Sequence, residues 1–145
     1  MEKRNLGEPS LAISGFRMWV RGRQFPDSTD EWDGNWLGVT ACVQHLQARV
    51  WVSGSILTTM DLAAWRDGCV KLLSGVADTA SLEPIEPELK VTMRKTDPLG
   101  HLEMRVDITP DHLQQEHTFR IEVDQSYLPR LIGELEAILG DYPVR

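Results

Sequence analysis

The chain has 145 residues, a net charge of −7 and enough apolar residues, 41%, to form a hydrophobic core. A single domain of this length buries about two-thirds of the surface that its unfolded chain exposes. No apolar run approaches the ~20 residues of a membrane-spanning helix, and residues 1–10 lack the apolar segment of a signal peptide. We therefore expect a cytoplasmic protein with no membrane partner.

The negative charge is concentrated in the second half of the chain. Residues 1–72 contain eight basic and eight acidic residues, whereas residues 73–145 contain seven basic and fourteen acidic ones. A domain of this sign repels nucleic acid, so we predict no nucleic-acid partner. It favours encounter with a basic protein partner. The simpler explanation is that the acidic surface only keeps the protein in solution.

Alternating apolar residues predict three strands in the first half. The first alternation breaks at Ser14 and Gly15, where we expect a β-bulge, and it resumes in the opposite parity at Phe16. A polar loop follows at residues 22–35. Two further alternating segments come next, at residues 37–44 and 46–52.

Two segments have apolar residues three and four positions apart, the spacing of one buried helix face. In the first helix, Thr58 and Asp61 have the spacing of a capping box and Gly75 provides the stop. In the second, we expect Ser126 to be the cap, which places Pro129 in the first turn. The predicted buried stripes are Leu62, Trp65, Cys69, Leu72 and Leu73 in the first helix, and Leu128, Leu131, Leu135, Ile138 and Leu139 in the second.

Between the helices, residues 76–88 are polar and rich in proline, and we predict a loop there. Three alternating strands follow at residues 89–94, 102–108 and 119–124, with charged residues on one face. The outward acidic residues of these strands include Glu103, Asp107 and Glu122.

These patterns predict a single α+β domain over residues 1–145. We expect an antiparallel sheet of about six strands with two helices packed on one face, in the order β-β-β-α-β-β-β-α. Because each half ends in a helix with a similar stripe, residues 11–75 and 86–140 are a candidate internal pseudo-repeat. The stripes coincide in the two halves, but the helix caps do not.

No motif in the sequence predicts catalysis. The chain lacks GxSxG, HExxH and a phosphate-binding glycine loop. His112 and His117 would supply two ligands of a metal site, which is half of a complete set. The simpler explanation is that both histidines are exposed in a loop and bind no metal. Cys42 and Cys69 are too far apart in sequence for a redox pair, and we expect both to be reduced. We predict a non-catalytic protein without a cofactor or a metal.

Four segments resemble the WapI-type immunity proteins. They are the end of the acidic loop at Asp33–Leu37, Glu86 with Pro87, the run Phe119–Leu128, and Tyr142–Arg145. The resemblance implies a small cytoplasmic bacterial protein that binds and neutralises the C-terminal domain of a cognate, contact-delivered toxin. That toxin domain is often an RNA-cleaving one, and the immunity protein itself is not an enzyme.

Two surfaces are candidates for the partner-binding site. The first is the loop that contains Asp30, Glu31, Trp32 and Asp33, since tryptophan is favoured as an interface anchor. The second is the outward acidic set of the later strands, Glu103, Asp107 and Glu122.

Two other functions are compatible with the sequence. An acidic secretion or effector chaperone has the same size, charge and fold class. A small α+β hydrolase or ligand-binding domain would instead assemble its site from distant residues within a deep apolar pocket. The sequence does not predict an oligomeric state.

Overall fold

The computed structural model describes residues 6–145, which form eight strands and two α-helices. In chain order these elements are β1 (Leu11–Ile13), β2 (Phe16–Arg23), β3 (Trp36–His45), β4 (Ala48–Thr58), α1 (Thr59–Leu73), β5 (Thr79–Leu82), β6 (Leu89–Lys95), β7 (His101–Ile108), β8 (Thr118–Asp124) and α2 (Leu128–Asp141). Short 3-10 helices precede β3 at Asp33–Asn35 and α2 at Gln125–Tyr127.

The strands form two antiparallel sheets, each of four strands in chain order, β1–β4 and β5–β8. The predicted α+β class and antiparallel pairing are confirmed. The predicted single sheet of about six strands is wrong, and so is the predicted order, because four strands precede each helix. Four strands and a helix occur twice, but the internal pseudo-repeat stays a hypothesis.

The first additional strand arises because Ser14 and Gly15 form a turn instead of a bulge. Ile13 pairs with Phe16, so β1 and β2 are a tight hairpin, and Ser14 adopts a φ of +50°. A Cβ at Gly15 would lie 2.1 Å from the carbonyl oxygen of Gln44. Only glycine therefore fits at this position, which explains the break in the alternation.

The second additional strand, β5, lies within the segment that the sequence predicts as a loop. It pairs with β6, and Ala80 and Leu82 are buried while Thr79 and Ser81 alternate with them. A strand of four residues contains only two apolar positions. Periodicity over so short a segment does not distinguish a strand from a loop.

The start of α1 agrees with the prediction. The Thr58 hydroxyl oxygen accepts a hydrogen bond from the Asp61 N–H, and the Asp61 carboxylate accepts one from the Thr58 N–H. This reciprocal pair is a capping box. At the other end, Gly75 has a φ of +81°, the left-handed conformation that commonly ends a helix.

The start of α2 differs from the prediction. The helix begins at Leu128, and Pro129 lies in its first turn as expected. The preceding 3-10 turn is capped by Asp124, whose carboxylate accepts a hydrogen bond from the Ser126 N–H at 2.7 Å. Ser126 is therefore not the cap of α2, because its hydroxyl donates to the Asp124 carboxylate and the N-cap position is occupied by Tyr127.

One contiguous hydrophobic core includes the inner faces of both sheets and the buried stripes of both helices. β3 contacts β8, β4 contacts β7, and α1 contacts both α2 and β5. Every predicted stripe residue is buried except Leu73, the last residue of α1, which is 38% exposed. Within residues 6–145, no helix is long and apolar enough to cross a membrane.

The outer faces of the two sheets differ in composition. On the first sheet, the rings of Trp19 and Trp51 stack with their centroids 5.7 Å apart, and Trp19 is nearly buried. On the second sheet, the outward residues of β6, β7 and β8 are mostly charged. The first sheet is thus less exposed to water on its outer face than a simple alternating pattern predicts.

A charged residue in the α2 stripe should destabilise the fold strongly. Leu131 is fully buried, so Leu131→Asp places an unpaired carboxylate in the core and should lower the free energy of unfolding by ~4 kcal/mol or more. The exposed position Ala137 on the same helix is the control, and Ala137→Asp should change it by less than ~1 kcal/mol. Chemical denaturation measures both values, and equal losses would contradict the assigned burial.

Candidate functional site

The segment between β2 and β3, residues 24–35, is named the acidic loop. It contains four carboxylates, none of which forms an ion pair within residues 6–145. It also exposes two large aromatic side chains, Phe25 at 44% and Trp32 at 53%. The carboxylates belong to Asp27, Asp30, Glu31 and Asp33, of which the last three are predicted partner-binding residues.

Asp30 organises the backbone of the acidic loop. Its carboxylate accepts hydrogen bonds from the N–H groups of Trp32 and Asp33 at 2.8 and 3.0 Å, and its carbonyl accepts one from Gly34 at 2.8 Å. The bond from the Asp33 N–H, followed by that from the Trp32 N–H, lowers the pKa of the Asp30 carboxyl. Asp30 thus has a structural role in the loop, and its substitution would alter more than surface charge.

Asn35 joins the acidic loop to two distant parts of the chain. The side chain is fully buried, and its Oδ1 accepts hydrogen bonds from the Thr59 hydroxyl at 2.7 Å and from the Arg145 N–H at 2.9 Å. Its Nδ2 donates to the carbonyls of Glu31 at 2.7 Å and Arg145 at 3.1 Å. The loop, the first turn of α1 and the C-terminal residue therefore meet at one amide.

Arg145 also supports the backbone of the acidic loop. Its Nη1 donates to the carbonyl oxygens of Pro26 at 2.6 Å and Ser28 at 2.7 Å. Both acceptors belong to the main chain, so the guanidinium supports the loop backbone without pairing with a loop carboxylate. Residues 142–145, named the C-terminal segment, thereby lie against the acidic loop.

Arg23, in the last position of β2, completes the contact. Its Nη1 donates to the Gly34 carbonyl at 2.5 Å, and its Nη2 donates to the Pro143 carbonyl. The guanidinium carbon lies 6.0 Å from the centre of the Tyr142 ring, within the range of a cation–π interaction. Desolvation, followed by the nearby Arg145 charge, lowers the pKa of Arg23.

The contact between the acidic loop and the C-terminal segment gives a structural reason for two of the four segments on which the family resemblance rests. Gly34 and Asn35 belong to one and Tyr142–Arg145 is the other, and the structure brings the two together. A Cβ at Gly34 would lie 2.8 Å from the Ser28 carbonyl oxygen, so glycine is required there. These residues have structural roles, which leaves the exposed side chains of the loop available for a partner.

The second predicted surface, on β7 and β8, is not purely acidic. Glu103 lies 3.8 Å from Arg94 of β6, and Asp107 lies 3.2 Å from Arg105 of its own strand. Glu122 is directly opposite Glu103 in the sheet. This surface belongs to the second sheet, whereas the acidic loop connects strands of the first, so the two predicted sets do not form one site.

The histidine and cysteine candidates show no reactive arrangement. His112 is exposed, and Nε2 of His117 lies 3.2 Å from Oε1 of Gln115. Across residues 6–145, no three His, Cys, Asp or Glu side chains are grouped in a way that could hold a metal ion. Cys42 and Cys69 are both free and buried, and burial raises the pKa of the Cys69 thiol to about 12.

Architecture and site together describe a small α+β protein with an acidic loop whose backbone is held by hydrogen bonds from Arg23, Asp30, Asn35 and Arg145. The WapI-like immunity protein family matches residues 10–143, and the chain belongs to this family. Membership supports a role as an immunity protein, a class that binds a cognate toxin protein and is generally non-catalytic.

Other comparisons add little about function. No curated protein sequence is significantly similar to the chain. A solved structure, the crystal structure of WHY1 from Arabidopsis thaliana, matches with a TM-score of 0.47 and 9% identity over 92% of this chain and 88% of that one.

Loss of the Asn35 side chain should destabilise the protein. Asn35→Ala removes four hydrogen bonds and leaves the buried Thr59 hydroxyl without its acceptor, so we expect a loss of ~2–4 kcal/mol in the free energy of unfolding. Asp33→Ala is the control, because that side chain is exposed and forms no hydrogen bond or ion pair with residues 6–145, and the substitution should cost less than ~1 kcal/mol. Equal effects in urea denaturation would show that the network does not stabilise the fold.

The acidic loop should become less ordered at low pH. Because hydrogen bonds lower the folded-state pKa of Asp30, its contribution to stability is complete above the unfolded aspartate pKa of about 3.9 and decreases as pH falls below it. The amide resonances of Trp32 and Asp33 should therefore titrate together, with a midpoint below that value. Asp30→Asn is the control and should abolish this common titration; a midpoint at or above the ordinary value would contradict the assigned bonds.

Proposed function

We propose that the chain neutralises the C-terminal domain of a cognate bacterial toxin by binding it through the acidic loop. The observation that carries this proposal is the combination of exposed aromatic rings with carboxylates that form no ion pair within residues 6–145, on a backbone held by hydrogen bonds from Arg23, Asn35 and Arg145. A loop that is already ordered loses little conformational entropy on binding, which favours affinity. The family membership supports the toxin as the partner.

The charge of the loop favours a basic target. An RNA-cleaving domain needs Lys and Arg side chains to hold the phosphate backbone, and a carboxylate-rich surface complements them. We therefore take the partner to be an RNA-cleaving toxin domain that the loop covers in the cytoplasm. In this proposal the chain has no catalytic activity, no cofactor and no nucleic-acid ligand at the loop.

The acidic loop is a better candidate than the outward acids of the second sheet. Two of those three acids, Glu103 and Asp107, have a basic partner within 4 Å, so most of the charge of that set is partly compensated before any partner arrives. The loop carboxylates have no such ion-pair partners among residues 6–145. Exposed and unpaired charges steer association more strongly.

Trp32 should act as an interface anchor. Trp32→Ala is expected to weaken binding to the cognate toxin domain by about 30-fold or more, mainly through faster dissociation. The matched control is Leu113→Ala, because Leu113 is 83% exposed in another loop. Surface plasmon resonance separates the two rate constants, and equal dissociation rates for both variants would exclude Trp32 as an anchor.

Loop charges should act on association instead. Asp27→Lys and Glu31→Lys should slow association and reduce its dependence on salt, since screening shortens the Debye length from ~10 Å at 0.1 M to ~3 Å at 1 M. Glu116→Lys makes the same charge change in the loop that contains Leu113 and should have little effect. Asp30 is unsuitable for this comparison because it caps the loop backbone.

An RNA-cleavage assay distinguishes the proposal from its alternatives. An equimolar amount of this chain should stop RNA cleavage by the folded toxin domain. A secretion or effector chaperone would bind the toxin only before it folds and would leave the folded domain active. Failure to bind the folded domain at all would contradict the proposed function.

A further inference from the structure

The outer face of the second sheet has an unusual arrangement of like charges. In the register of β6, β7 and β8, Thr92 is opposite Arg105, and Arg105 is in turn opposite Arg120. These three residues are named the central row. Like charges directly opposite each other on neighbouring strands destabilise a sheet. The adjacent row holds a pair of the opposite sign, Glu103 opposite Glu122, so what distinguishes the arginine pair is its position in a hollow of the surface.

The central row lies in a hollow of about 360 Å³. Four basic side chains and two carboxylates line it, so its surface carries an excess of two positive charges. The lining comprises Lys90, Thr92, Arg94, Glu103, Arg105, Asp107 and Arg120.

The carboxylates of the hollow do not compensate Arg120. Glu103 lies within ion-pair distance of Arg94, and Asp107 lies within ion-pair distance of Arg105. Arg120 forms neither an ion pair nor a hydrogen bond with any residue from 6 to 145. The Thr92 hydroxyl, in the same row, is likewise without a hydrogen-bond partner in that range.

We propose that this hollow binds the phosphate group of a small molecule, held between Arg105 and Arg120 with the Thr92 hydroxyl as a further donor. A phosphate monoester carries close to two negative charges at neutral pH and three strong acceptor oxygens. That charge matches the excess in the hollow, and guanidinium groups bind phosphate oxygens in bidentate geometry. A single carboxylate would leave half of the excess charge uncompensated.

The size of the hollow leaves room beyond the phosphate. Its volume falls within the usual range for small-molecule sites, about 300–1,000 Å³. Glu103 and Asp107 are acceptors at its wall, and they suit hydroxyl or amino groups on the rest of the ligand. This site is on the second sheet, so its test does not depend on the toxin or on the acidic loop.

The test is an NMR titration of the full chain with inorganic phosphate and, separately, with ribose 5-phosphate, each against chloride at matched ionic strength. We expect saturable shifts of the Thr92 amide and of the Arg105 and Arg120 Nε–H resonances with at least one of the two. Tighter binding of ribose 5-phosphate would identify an organic phosphate as the ligand; equal binding would identify the phosphate group alone. Absence of saturable shifts with both phosphates would overturn the proposal, as would equal shifts in a parallel titration with acetate.

Two variants test the assigned residues. Arg120→Gln should weaken phosphate binding by about tenfold or more, the usual effect of losing a charged hydrogen bond. Arg17→Gln removes an exposed arginine from the other sheet and should leave the affinity unchanged. Equal affinities for the two variants would overturn the assignment of the site.

Thermal unfolding distinguishes a ligand site from a structural arginine. In chloride alone, Arg120→Gln should melt at nearly the same temperature as the native chain, because Arg120 is exposed and forms no ion pair or hydrogen bond with residues 6–145. Phosphate should raise the melting temperature of the native chain and of Arg17→Gln but not that of Arg120→Gln. A lower melting temperature for Arg120→Gln in both salts, with no phosphate effect on the native chain, would contradict the proposal.

Discussion

The buried amide of Asn35 is the interaction on which the shape of the acidic loop depends. A polar side chain of this kind is stable in the core only when its hydrogen-bonding groups are satisfied, and Asn35 forms four bonds with Glu31, Thr59 and Arg145. Because those partners belong to three separate segments, the amide sets where the loop lies relative to α1 and the C-terminal segment. Its role is therefore to position a surface that it does not itself form.

The arginines around the loop serve the backbone and not the carboxylates. Arg23 and Arg145 donate to the carbonyls of Gly34, Pro26 and Ser28. Main-chain carbonyls are satisfied in this way while the acidic side chains keep their charge exposed. A loop that was held by ion pairs would be equally ordered, but it would present much less negative charge to a partner. The observed arrangement combines a hydrogen-bonded backbone with carboxylates that form no ion pair within residues 6–145.

Local patterns predict the parts of the fold that depend on nearby residues. The stripes of both helices and the Thr58–Asp61 cap follow from side chains three and four positions apart, and the structure has them as predicted, apart from the exposed Leu73. β5 was not predictable, because Ala80 and Leu82 become recognisable as core positions only when β6 pairs with them. The division into two sheets likewise depends on where α1 interrupts the pairing, which strand periodicity does not encode.

The candidate site was predictable only in part. Trp32 and the carboxylates stand out in the sequence, since they cluster in one loop. The supporting network does not, because Asn35 bonds to Thr59 and Arg145 across 24 and 110 residues, and no local pattern links such positions. The pairing of acidic with basic residues on the second sheet was also not predictable, because strand register decides which basic residues face Glu103 and Asp107. Cross-saturation NMR of the complex with the toxin domain tests the central claim most directly: the amides of residues 24–35 should lose the most intensity, whereas losses confined to β6–β8 or another surface would contradict it.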